Sequence, residues 1–395
     1  MNDLTEQSNN QFWKKIALII GIGIVLLAVV YFGKEYKTSQ KVAETTKFYD
    51  QFSDEKYIEF AKKLEASIHT ENPKIFDKSI DVASFFNFSA RELAESYNKR
   101  TAIAFLQPYL KLGGSISAQL TYPSDFKFTK FYKKDGVPHI VFRLYRSDFI
   151  NFMDFTLGIK EDTIVVTNMY NFYSGIVFSE MISEMYYESI NQSQQFISEL
   201  KTYQQVNSYI QSGSYEEAYN LLVSIPVEKR NPLHNQYVLA SAADFDADRF
   251  IEIIKNIKKE KPDDERLHVY LNLLETIFLA DIDKLNKAIN ELKKYVGEDA
   301  IFDVYRGLLY NLQSDYDKAI PFFDRLITQS PEFHDGYIYK LYTLLTQNKT
   351  DEALVLVTKI KERLSMSEEN LTFQISEFQT FINSEAYKNI FKSAE

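Results

Sequence analysis

The chain has 395 residues and no cysteine. Disulfides, thiolate metal sites and cysteine nucleophiles are therefore excluded. That absence fits a cytoplasm and fits equally an envelope protein built without disulfides. Glycine and proline are scarce, at 12 and 9, and a single tryptophan stands against 27 tyrosines and 31 phenylalanines. Few helix breakers and many aromatics favour long packed helices. Excess positive charge is also missing. The net charge is −10, and from residue 201 onward 23 Lys+Arg face 31 Asp+Glu. Nucleic acid needs basic patches to neutralise phosphates, so it is not an expected partner. No G-x-x-x-x-G-K-[ST] loop and no G-x-S-x-G elbow occurs. His69, His139, His234, His268 and His334 form no H-E-x-x-H or other metal-spaced pair. Neither a cofactor nor a metal is expected.

What is present begins with a membrane signal. Ile16 to Gly33 is an 18-residue run without a charge. At about 1.5 Å per residue it nearly spans a hydrocarbon core of roughly 30 Å. Trp13 and Tyr31 stand at its ends, and Lys14, Lys15, Lys34 and Lys37 can snorkel outward. A cleaved signal peptide would have a shorter apolar run and an A-x-A-like site, and neither is found. The expectation is a 1–15 tail, an uncleaved 16–33 anchor and a single-pass topology. Lysines flank both sides, so charge hardly fixes orientation. A short N-terminus before a long body is commonly seen with the body exported, and a cytoplasmic body remains the alternative. Gly21-Ile22-Gly23 lies inside this run and forms no dinucleotide loop. Ala17 and Gly21 offer one small-xxx-small pair, a possible homodimer contact through the anchor.

Residues 43–175 read as an α+β domain. Tyr57, Phe60, Leu64 and Ile68 recur on one helical face. Pro73 opens a second helix with Ile75, Phe76 and Ile80, and a third runs from about 90 to 112, with Gly113-Gly114 as its stop. The period then changes. Runs 125–132, 138–146, 150–159 and 163–171 are rich in β-branched and aromatic residues, with hairpin signals at Lys133-Lys134-Asp135-Gly136 and Lys160-Glu161-Asp162. They predict a four-stranded antiparallel meander, then a connecting helix over 174–200. This order resembles the nuclear-transport-factor-two-like, or cystatin-like cone, fold, whose members often enclose a pocket. His139, Arg143 and Asp154 are the candidate pocket residues, since a carboxylate near a histidine can do acid–base chemistry. The plainer alternative makes them the solvated face of the sheet.

The C-terminal half carries a spacing. In "SDYDKAIPFFDRLITQSPEF", Tyr316, Ala319 and Phe323 share one helical face and Pro331 blocks its continuation. Gly307 and Tyr310 lie one helix earlier. Advancing by 34 from Ala319 reaches Ala353, with Tyr337 in support, while Tyr209, Gly213, Tyr215 and Ala218 repeat the spacing upstream. These residues resemble the tetratricopeptide repeat, with Ser314 standing where the family usually has a turn glycine. About five helical hairpins are expected over 199–366, with a capping helix over 368–395. "KNIKKEKPDDER" at 255–266 reads as a solvated helix end and loop.

The resemblance implies a superhelical array without chemistry of its own, whose concave face binds a protein or peptide. The whole reads as a transmembrane anchor, an α+β domain and an all-α array. It is similar to single-span bacterial envelope proteins that serve as scaffolds, assembly factors or chaperone-like helpers. The alternative is a small-molecule binder or enzyme in the middle domain, localised by the array.

Overall fold

The computed structural model describes residues 51–70, 72–87, 110–120, 124–146, 149–181, 194–227, 230, 233–242 and 245–392. The 1–15 tail, the 16–33 anchor and most of the helix expected over 90–112 lie outside them. Among the described residues, no helix is long and apolar enough to cross a membrane. The chain divides into two compact units, Met1–Phe278 with Leu292–Glu298, and Leu279–Glu291 with Asp299–Glu395.

The first unit opens with α1 (Asp54–His69), which has Asp54 and Glu55 in its first turn, where carboxylates favour the helix dipole. It buries Tyr57, Ala61, Leu64 and Ile68. Pro73 precedes α2 (Lys74–Lys78), and α3 (Val82–Asn87) follows. The glycine pair expected to stop a helix instead begins one, α4 (Leu112–Gln119). Its free first-turn amides find an acceptor elsewhere: Gly113 donates to Asp77 Oδ1 at 2.7 Å. A Cβ on Gly113 would sit 2.6 Å from both Phe76 Cβ and the Pro73 carbonyl oxygen, so only glycine fits this approach.

The expected strands form as β1 (Ser124–Lys134), β2 (Val137–Arg146), β3 (Phe149–Lys160) and β4 (Thr163–Asn171), all antiparallel neighbours in order. Asp135 and Gly136 both take positive φ between β1 and β2, as Glu161 and Asp162 do between β3 and β4. Such two-residue turns match the twist of the strands they join. A short fifth strand, β5 (Ile176–Val177), pairs with β4 where the connecting helix was expected to begin. Alternation gives the sheet two faces. One carries Phe126, Phe142 and Phe155, which pack on Phe76 of α2 at 5.6–6.3 Å between ring centroids.

Further along this unit lie α5 (Gln194–Gln211), α6 (Tyr215–Val223), α7 (His234–Ser241), α8 (Ala247–Glu260) and α9 (Glu265–Phe278). Each packs on the next. Every residue of α7 is buried, so no polar face marks it in the sequence.

Helix α10 (Ile282–Val296) is shared between the units. In the second unit, α11 (Phe302–Leu312), α12 (Tyr316–Gln329), α13 (His334–Thr346) and α14 (Thr350–Leu364) pack successively. Ala319 and Phe323 are fully buried, as is Ala353, and in the first unit so is Ala218. Tyr337 is also core. Tyr310 and Tyr316, expected beside them, are only half-buried, and so are Tyr209 and Tyr215. Tyr310 stacks on Phe322 at 5.6 Å instead.

A single capping helix over 368–395 is not found. Three short helices replace it: α15 (Glu368–Gln374), α16 (Gln379–Ile382) and α17 (Glu385–Phe391). Ser367 and Ser384 restart the helix, each accepting from an amide three residues on. Leu371, Ile375, Phe381 and Tyr387 join the core of α13 and α14, so the apolar end is covered all the same.

Ser314, in the turn between α11 and α12, has φ +58°. Its amide and that of Asp315 bond back to Asn311 and Tyr310, and Asn348 and Lys349 repeat the pattern 34 residues on. This is a helix C-terminus that needs a left-handed residue. Ser314→Gly is therefore expected to stabilise the second unit by about 1 kcal/mol, read as a higher denaturation midpoint. An unchanged or lower midpoint would refute that account of the turn.

Candidate functional site

The second face of the sheet holds the candidate pocket residues. Asp154 and His139 come from β3 and β2, and alternation turns both to this face. Asp154 Oδ1 lies 2.9 Å from His139 Nδ1. The Tyr132 hydroxyl, opposite His139 on β1, donates to Asp154 Oδ2 at 2.5 Å. The Tyr132 and His139 rings stack with centroids 4.8 Å apart. A fourth partner comes from far along the chain. Arg266, at the start of α9 and 112 residues away, approaches Asp154 Oδ2 to 3.3 Å through Nη1. Its guanidinium lies 3.4 Å above the Tyr170 ring of β4. Tyr170 in turn donates to the Asp264 carboxylate at 2.7 Å.

Asp154 is 2% exposed. Burial pushes its pKa up, but the His139 and Tyr132 hydrogen bonds and the Arg266 charge outweigh burial and hold the carboxyl below its usual range. Burial and the adjacent Asp154 charge raise the Tyr132 pKa, so that hydroxyl stays a donor. Burial, with the Asp264 charge behind it, does the same to Tyr170. Lys130 is lowered by burial, against the pull of Asp154. The network extends along the same face, where Tyr270 of α9 donates to the Ile150 carbonyl at 2.6 Å and meets the Tyr173 ring edge-on.

Two expectations change. The face read either as the lining of a pocket or as a solvated surface is met by α9 at Asp154, Tyr170 and Ile150. Asp264 and Arg266, read as part of a solvated loop, are instead the residues that seat α9 on the sheet. Of the three candidates, His139 and Asp154 meet, and Arg143 has a partner on β1. It is 1% exposed and pairs with Asp125 of β1.

No known family model matches the chain, and no curated protein or solved structure matches it either. Its chemistry must be read from the geometry alone. An ionised carboxylate with three donors converging on it from two strands and a helix is a buried anion with its acceptor sites in use. Among the described residues, no group of three His, Asp or Glu side chains is placed to hold a metal ion.

The sequence carried part of this site. The Asp135-Gly136 turn sets the register that places Tyr132 opposite His139, so Tyr132 was within reach of a hairpin argument. Nothing in the sequence ties Arg266 or Asp264 to β3 and β4, because that contact depends on how α9 docks.

Proposed function

We propose that the chain is a membrane-tethered, non-enzymatic interaction protein. Its C-terminal helices are tetratricopeptide-like and hold another protein or peptide on their concave side. The observation that carries this reading is the 34-residue recurrence of the left-handed turn at Ser314 and Asn348, with Gly307 packed against Phe323 and Ala319 fully buried. Stacked helical pairs of this kind bury one face on their neighbours and leave another for ligands. The Ile16–Gly33 run is the anchor, and the body lies on the exported side. The sheet domain, cone-like in element order, is a spacer that seats the first helices.

The test uses the soluble chain 43–395, because Arg266 and Tyr270 bind the sheet and a cut near residue 195 would strip α9 of its partner. Proteins crosslinked to the full chain in its membrane are identified and then purified. At least one is expected to bind 43–395 directly in solution. If none binds, the interaction reading fails. A reporter active on one side of the membrane, fused after Glu395, tests the exported orientation.

The Asp154–His139 contact favours a second reading, acid–base chemistry at the sheet. His139→Ala in cells tests it: a deletion phenotype at unchanged protein abundance supports the reading, and a wild-type phenotype overturns it.

A further inference from the structure

The face of the sheet around Asp154 has the parts of a receptor for a planar cation. Tyr170 supplies an aromatic ring on which a guanidinium lies at 3.4 Å. Asp154 supplies a carboxylate that is 1% exposed, 3.3 Å from the nearest guanidinium nitrogen. Both groups are held in place by bonds that do not involve the cation. Tyr132 and His139 fix the Asp154 carboxylate, and Asp264 fixes the Tyr170 ring through its hydroxyl. Asp264 is itself steadied by the Leu267 amide at 3.1 Å. The site is therefore arranged before its occupant arrives. Stacking and charge together select a guanidinium over an ammonium, because only the former is flat and weakly hydrated enough to lie on the ring while facing the carboxylate.

We infer that this is a guanidinium-binding site, filled in the resting chain by Arg266 and open to exchange with a guanidinium from outside. Arg266 remains 29% exposed, and its one hydrogen bond in the site is a long one. Solvent thus reaches the seat while the carboxylate beneath stays dry. The occupant links α9 to the sheet, so an arginine side chain supplied by another molecule competes for the joint between these elements of the first unit.

Chemical rescue tests this directly. Arg266→Ala in the 43–395 chain is expected to lower the melting temperature, and 10 mM methylguanidinium is expected to restore roughly 3 °C, the rise growing with the logarithm of its concentration. Methylammonium at the same concentration is expected to restore nothing. Wild type, in which the tethered Arg266 outcompetes 10 mM of a free guanidinium, and the Asp154→Asn/Arg266→Ala pair, whose seat lacks its anion, are expected not to respond at this concentration. A rise no larger than with methylammonium overturns the proposal, as does an equal rise in the double variant. Should Arg266→Ala fail to fold, Arg266→Met restores an aliphatic stem without the guanidinium, with unsubstituted guanidinium as the probe and a rise of the same logarithmic form expected. If neither variant gains structure or stability from its probe, the site is not a guanidinium receptor.

Discussion

Asp154→Asn is expected to cost the first unit about 3 kcal/mol or more, seen as a lower denaturation midpoint of the 43–395 chain. The carboxylate accepts from Tyr132, His139 and Arg266. An asparagine keeps the shape, removes the charge and replaces one acceptor oxygen by an N–H donor. His139 must then change tautomer to accept from the new N–H, and Arg266 keeps its charge beside a neutral group. Tyr132→Phe removes a single hydroxyl and leaves the anion two donors, so a loss of only about 1 kcal/mol is expected there. If Asp154→Asn cost no more than Tyr132→Phe, Asp154 would not be the structural anion described above. Acid should separate the two variants further. The Asp154 pKa is lower folded than unfolded, so its stabilising contribution is present above the unfolded value of roughly 3.9 and fades as pH falls through the folded value. The wild-type chain should lose that advantage below about pH 4, and Asp154→Asn should lack this part of the acid dependence.

Local rules made the sheet legible. The Asp135-Gly136 and Glu161-Asp162 turns are two-residue signals with their own backbone demands, and alternation between them fixes which residues share a face. The helices α11 to α14 were legible for a different reason. Gly307 lies hard against Phe323, and Ala319 and Ala353, 34 residues apart, are both fully buried. Two kinds of feature escaped. Gly113-Gly114 reads as a stop because glycine usually ends helices, and only the distant Asp77 carboxylate turns it into a start. Likewise the charged run around Asp264 and Arg266 has the composition of a solvated loop. A buried carboxylate and an aromatic ring far away in sequence made those charges part of an interior contact. Short-range pattern identifies the elements, whereas polar contacts between distant segments leave no periodic trace. The candidate site mixes the two, which is why Tyr132 could be placed by register and Arg266 could not.

The close packing at Gly307 allows an equally sharp test in the second unit. A Cβ there would lie 2.5 Å from Phe323 Cζ, well inside van der Waals contact. Phe323 is fully buried, and its ring meets Tyr339 at 6.0 Å, so it has little room to withdraw. Gly307→Val adds branched bulk against that ring and is expected to cost about 3 kcal/mol by overpacking, more than its gain in helix propensity of under about 1 kcal/mol returns. Phe323→Leu alone should cost about 1–2 kcal/mol for lost ring burial. If the two residues clash as described, the double variant should be less destabilised than the sum of the singles by about 1 kcal/mol or more, because the shorter leucine leaves space for the valine. Additive losses would mean that the strain at Gly307 is taken up elsewhere along α11 and α12. They would remove the close-approach argument on which the repeat reading of this hairpin partly rests.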